Sequence, residues 1–144
     1  MAITQQIAIT RLIISLVLGA CIGVERQIHK HPAGLRTFTL ICLGSTLAMI
    51  VSIYICQTNT NLLNGDPGRI AAQVLTGIGF IGAGLIIKND AGAVSGRTTA
   101  ACIFVTSVIG LAVGAGMTMT AVMVTAAILI VLVSSNFLKF GNKK

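Results

Sequence analysis

Gly77-Ile78-Gly79-Phe80-Ile81-Gly82 spells a literal G-x-G-x-x-G, and its reading separates two very different folds. As a dinucleotide fingerprint it needs a preceding strand, a following helix and an acid about 20 residues on. It lies instead inside an apolar run, and the residue at the acid's place is Cys102. Membrane helices offer a better use for these glycines. Lipid tails are as apolar as leucine, so such helices associate by close van der Waals contact, which small residues permit. Gly77, Gly79, Gly82 and Gly84, with Ala83, are therefore expected to let neighbours approach closely, as are the G-x-x-x-G pairs Gly19/Gly23 and Gly110/Gly114. Each glycine also lowers helix propensity by roughly 1 kcal/mol relative to alanine. Four of them between Gly77 and Gly84 leave open a broken helix whose free backbone groups face a cavity.

Outward from this stretch the chain is apolar almost throughout. Of its 144 residues 55% are hydrophobic and 9% charged, whereas a soluble domain carries roughly 25% charged residues. A bilayer core of roughly 30 Å takes about 17 to 25 apolar residues as a helix, and five stretches qualify, at 7–24, 37–56, 70–87, 98–114 and 117–138. The expected fold is all-α, a single polytopic domain over residues 1–144 with about five transmembrane helices. Gly114-Ala115-Gly116 must turn tightly between the last two. The residues before the first run lack the positive segment of a signal peptide, so that run is expected to stay as the first span.

The net charge of +7 comes from ten Lys and Arg against Glu25, Asp66 and Asp90. Too few polar residues accompany it to build a nucleic-acid groove. It reads as membrane orientation: Arg26, Lys30, Arg36, Lys88, Arg97, Lys139, Lys143 and Lys144 fall on one side, and Arg11 and Arg69 on the other. The positive-inside rule then puts the N-terminus outside and the C-terminus in the cytoplasm.

The polar residues fall at the ends of the spans. Asp66-Pro67-Gly68-Arg69 has the form of a helix start, an acid followed by proline in the first turn. Gln73 follows Arg69 by one turn and shares its face. Asp66, Arg69 and Gln73 form either a cap with an interface anchor or a polar network inside the bundle. Glu25 ends the first span and is placed to pair with Arg36 across a short hairpin. His29 and His31 lie in a basic loop that repels cations, and no metal-ligand set is identified. Cys21, Cys42, Cys56 and Cys102 lack C-x-x-C spacing and are expected to pack as small hydrophobes. No arrangement for nucleophilic catalysis can be argued, so neither enzyme activity nor a cofactor is expected.

With these residues in place, the chain resembles the MgtC/SapB family of bacterial inner-membrane proteins. The matching pieces are GACIGVER (Gly19 to Arg26), PAGLRT (Pro32 to Thr37), DPGRIAAQVLTGIGFIGAG (Asp66 to Gly84), GRTTAA (Gly96 to Ala101) and Gly110 to Gly116. The resemblance implies a five-span domain in the cytoplasmic membrane and a link to growth in low magnesium. It implies action either as a regulator through protein contacts, with the F-type ATP synthase as one partner, or as a cation transporter formed by an oligomer. The family's recurrent polar positions fall on Glu25, Arg26, Arg36, Asp66, Arg69, Gln73 and Thr99. The chain looks like a shorter SapB-like form, since it ends at Lys144 soon after the fifth span. Arg97 stands where the family usually has an apolar residue, and Phe104 where an aromatic, often tryptophan, is usual. The partners expected are the lipid bilayer, further copies of the chain and another membrane protein, with no nucleic acid.

Overall fold

The structure, a computed structural model, describes residues 3–58, 66–88 and 94–140, with side chains as far as Ser134. Five helices follow in order: α1 (Gln5–Ile28), α2 (Leu35–Thr58), α3 (Gly68–Gly84), α4 (Arg97–Ala115) and α5 (Thr118–Phe140). By length and composition α1, α2 and α4 can each cross a membrane, and α5 contains a shorter apolar helix, Thr118–Ser134. Lys143 and Lys144, counted above toward orientation, and Asp90 lie outside the described residues, as does the side chain of Lys139.

The surface is inverted relative to a soluble protein. Ile13, Leu40, Phe80, Met119 and Ile130 are among many large apolar side chains left open, while Ser15, Ser45, Thr46, Thr106 and Ser107 are buried. The hydroxyls of Ser15, Thr46, Thr106 and Ser107 find partners on carbonyls of their own helices or a neighbour's. An exposed apolar surface of this extent marks contact with a membrane rather than water. The chain is an all-α polytopic membrane protein.

Close backbone approaches set the architecture. A Cβ added to Gly19 would lie 2.8 Å from Cys42 Cβ, and one on Gly23 would lie 2.7 Å from Leu35 Cα. Rising numbers in α1 thus meet falling numbers in α2, so the two run antiparallel. A Cβ on Gly110 or Gly114 of α4 would lie 2.4 and 2.7 Å from the Cys42 and Thr46 carbonyl oxygens respectively; numbers rise together, so α2 and α4 run parallel. Helix α4 touches all four others, and the core clusters around Ile22, Phe38, Cys42, Ile103 and Val113. One end of the bundle carries the α1–α2 and α3–α4 connections, and the other carries the starts of α1, α3 and α5.

Helix α3 is one unbroken helix despite its glycines, so of the two alternatives left open the continuous one is adopted. Two other features differ from the sequence expectation. The helix has 17 residues, about 25 Å of rise, and stops before Leu85 to Ile87. Ile87–Lys88 instead pairs antiparallel with Val94–Ser95 in a two-residue ladder. Gly96 closes this hairpin at φ +84°, where a Cβ would fall 1.9 Å from the Leu85 carbonyl oxygen. Finally, Gly77, Gly79 and Gly84 meet nothing within 4 Å, and Gly82 touches Ala100 only at ordinary contact distance. The packing role expected for the third-helix glycines belongs within this chain to α1 and α4, because α3 turns only its Ile78 and Gly82 side inward.

This contrast is testable. Gly110→Ala should lower thermal stability in detergent by about 1–3 kcal/mol, since the new methyl meets a fixed backbone carbonyl. Gly77→Ala should leave stability unchanged or raise it by up to about 1 kcal/mol through helix propensity. Equal melting shifts for the two variants would contradict the packing described.

Candidate functional site

At the end bearing the α1–α2 connection, the last turn of α1 turns a charged pair inward. Glu25 is 8% exposed and Arg26 only 2%. The Arg26 guanidinium grips the Glu25 carboxylate with both Nε and Nη2, the latter donating to Oε1 at 2.8 Å. His29 adds Nδ1 at 3.1 Å from the same Oε1 and 2.9 Å from the Glu25 carbonyl oxygen. The pair expected from sequence, Glu25 with Arg36, is not formed: Arg36 is exposed and has no partner among the described residues. Adjacent helix positions do not ordinarily face one another. Arg26 is long enough to fold back over its neighbour, and burial excludes the water that would compete.

Gly34 and Gln27 hold this corner together. Gln27 Oε1 accepts the Leu35 N–H at 3.2 Å, and the Gly34 carbonyl accepts the Phe38 N–H at 3.1 Å. The start of α2 is thereby capped while it passes under Gly23. Thr99, from the first turn of α4, is 2% exposed at the same end. The fold therefore gathers Glu25, Arg26 and Thr99 at one end of the bundle.

At the opposite end Asp66 Oδ1 accepts the Gly68 N–H at 2.7 Å, which fixes the start of α3. Pro67 gives its carbonyl to the Ser52 hydroxyl at 2.8 Å, tying α3 to α2. Arg69 and Gln73 do not enter the bundle. At 3.6 residues per turn, Arg69, Gln73, Thr76, Gly77, Phe80 and Gly84 share an arc of about 100°. All six are exposed, Phe80 at 84%. Neither Arg69 nor Gln73 has a side-chain partner among the described residues. The internal polar network is thus not made within one chain; this face of α3 is open.

Two features escaped the sequence reading. Arg11 Nη1 donates to the Gly114 carbonyl at 2.6 Å, satisfying the end of α4, whose Schellman turn runs through Gly116 at φ +92°. An arginine near the start of a span could have been read as seeking such a carbonyl. Thr46 Oγ1 lies 2.8 Å from the Gly110 carbonyl and 2.9 Å from that of Cys42, sharing its proton between α4 and α2. No local pattern announces that contact, because it needs the approach at Gly110 first.

Apolar helices packed through glycine, with buried charge at one end and an open polar stripe at the other, define a polytopic helical membrane domain. The chain belongs to the MgtC family, whose sequence profile matches residues 12–140. It is 50% identical over 111 residues to YhiD of Escherichia coli K12, whose name proposes a magnesium transporter; the alignment covers 76% of this chain and 51% of that one. An uncharacterized protein of Haemophilus influenzae is 41% identical over 128 residues, covering 86% and 53%. Protein MgtC of Brucella abortus is 39% identical over 119 residues, covering 81% and 46%. The chain spans about half the length of the curated relatives it matches. No solved structure matches it.

The buried pair carries a stability prediction. Glu25→Gln or Arg26→Gln alone should destabilise the detergent-solubilised protein by about 3–5 kcal/mol, because each leaves an uncompensated buried charge. The double variant should lose less than the sum of the two. Additive losses in a double-mutant cycle would mean that the two side chains do not interact.

Proposed function

We propose that this chain is a magnesium-linked regulator of the bacterial cytoplasmic membrane, acting through protein contacts and self-associating along α3. The single observation behind this reading is the open face of that helix. An arginine at the centre of a span costs roughly 2.5–3.5 kcal/mol on insertion scales. Arg69 lowers that cost by lying in the first turn of α3, but Gln73 and Thr76 extend the stripe toward the middle. Small residues beside them let another helix come close, where an amide or hydroxyl finds a partner that lipid does not offer.

A second copy fits the stripe by symmetry. A two-fold axis normal to the membrane makes an interface self-complementary and keeps equivalent residues at one depth. Asp66 of each copy then faces Arg69 of the partner subunit, Gln73 meets its own equivalent, and Gly77 and Gly84 mark the closest approach. The names MgtC and YhiD among the relatives support the magnesium link. The basic residues gathered at the α1–α2 and α3–α4 connections support a cytoplasmic placement for that end. The name of the Escherichia coli relative favours a second reading, transport by an oligomer in which the Asp66 carboxylates line a shared path.

The two readings separate in the membrane. With Cys21 and Cys56 replaced by serine, Phe80→Cys should crosslink to a dimer in native membranes, and buried Ile78→Cys should not. Gly77→Leu should reduce the crosslinked fraction while leaving monomer stability intact. Purified protein in liposomes should give no saturable magnesium flux above empty vesicles. Flux abolished by Asp66→Asn would establish transport instead, and absence of the Phe80→Cys dimer would remove the α3 interface.

A further inference from the structure

The basic end of the bundle holds a second feature, independent of α3's open face. A cavity of about 380 Å³ lies where the hairpin meets the start of α4, walled by His31, Leu85, Ser95, Arg97, Thr98 and Thr99 among others. The first turn of α4 opens into it. Gly96, the residue before that turn, is held at φ +84° and provides no side-chain cap. The N–H groups of Arg97, Thr98 and Thr99 receive no acceptor from the described residues. Such a turn carries about half a positive charge from the helix dipole and directs its donors at whatever occupies the space before it.

The side chain of Thr99 supplies an independent indication. It is 2% exposed, it lines the cavity, and its hydroxyl has no hydrogen-bond partner among the described residues. Thr46, Thr106 and Thr125 return their buried hydroxyls to backbone carbonyls. Thr99 makes no such bond among the described residues and borders the cavity. The surrounding charge is positive: Lys30, Arg36, Lys88 and Arg97 are exposed at this end, and the one acid among the described residues there, Glu25, is already held by Arg26 and His29. An anion with several acceptor oxygens fits these groups.

Thr98 then joins this cavity to a different one. It also lines a groove of about 340 Å³ between α4 and α5, whose walls include Ala101, Val105, Val124, Ala127, Ile128 and Val131. Apart from Thr98 and Cys102 that groove is hydrocarbon on every side. It runs along two antiparallel helices, away from the end that holds the polar cavity, so a ligand that fills both must be charged at one end and apolar along its length.

We propose that this end of the domain binds one anionic phospholipid, its phosphate in the cavity at the start of α4 and an acyl chain in the α4–α5 groove. The N–H groups of the first turn, the Thr99 hydroxyl and the Arg97 guanidinium donate to phosphate oxygens, and Ala101 and Ala127 leave the width that a chain requires. Pockets of basic residues between helices on the cytoplasmic side are the usual setting for anionic headgroups. Arg97 is the charged member and Thr99 the buried one.

The test is native mass spectrometry of the full chain in detergent, titrated with phosphatidylglycerol, phosphatidylcholine or inorganic phosphate. Phosphatidylglycerol should be retained at the lowest concentration. Arg97→Gln should weaken that retention about tenfold, the loss of one charge-assisted hydrogen bond. Ala127→Phe, which fills the groove, should weaken lipid retention while leaving any phosphate adduct unchanged. Thr99→Val removes the hydroxyl at nearly constant volume and should act in the same direction as Arg97→Gln; since Arg97 is exposed, its variant remains decisive if Thr99→Val fails to fold. Equal retention of phosphatidylglycerol and phosphatidylcholine, or retention indifferent to Arg97→Gln, would overturn the headgroup site. A phosphate adduct with lipid binding unaffected by Ala127→Phe would assign the cavity to a free anion and overturn the lipid.

Discussion

Between α2 and α4 the backbones come so close that nothing larger than hydrogen fits at two successive turns. Gly110 faces the Cys42 carbonyl and Gly114 that of Thr46, both nearer than any side-chain carbon would allow. In a membrane no hydrophobic force drives helices together, so this contact must be held by dispersion over a large matched surface and by hydrogen bonds across it. Thr46 supplies the bond, reaching the Gly110 carbonyl from the adjoining helix. Helix α4, fixed in this way against α2, becomes the strut on which the others lean. Helix α1 packs against α2 through Gly19 and Gly23, and Arg11 closes the far end of α4 by holding the Gly114 carbonyl.

The same geometry explains how polar groups survive in so apolar a chain. Each buried hydroxyl with a known bond returns it to a carbonyl, and Glu25 and Arg26 neutralise one another through the Nε–Nη2 edge of the guanidinium. An ion pair of this kind adds little net stability, because removing both charges from water offsets most of their attraction. What it supplies is position: with His29 it holds the side chains of the last turn of α1 in one arrangement at the basic end.

The two ends therefore differ in kind. The basic end is closed by the short α1–α2 connection and the Ile87–Ser95 hairpin, and its polar groups converge on the first turn of α4. At the other end α3 rises with its polar stripe turned away from its own bundle. A domain that spans half its relatives' length and presents one converging site and one open face is suited to contact with lipid and with other proteins. The regulator reading asks for both.

The sequence by itself determined the helices and their order. Apolar runs of the length a bilayer demands are a one-dimensional property, and breaks at Pro67, Gly96 and Gly116 mark where they stop. It also narrowed the polar candidates to a few positions at span ends, since so few polar residues exist. Only the tertiary structure decided which of them meet. A G-x-x-x-G pair states that a helix can be approached, not that it is: Gly110 and Gly114 are approached, while Gly77, Gly79 and Gly84 are open within the chain. Likewise Glu25 had two arginines in reach, and burial of the α1 terminus gave it Arg26 rather than Arg36. Spacing along the chain fixes which face a residue occupies, but its partner depends on how whole helices are placed, and that placement is settled by the sum of many contacts distant in sequence.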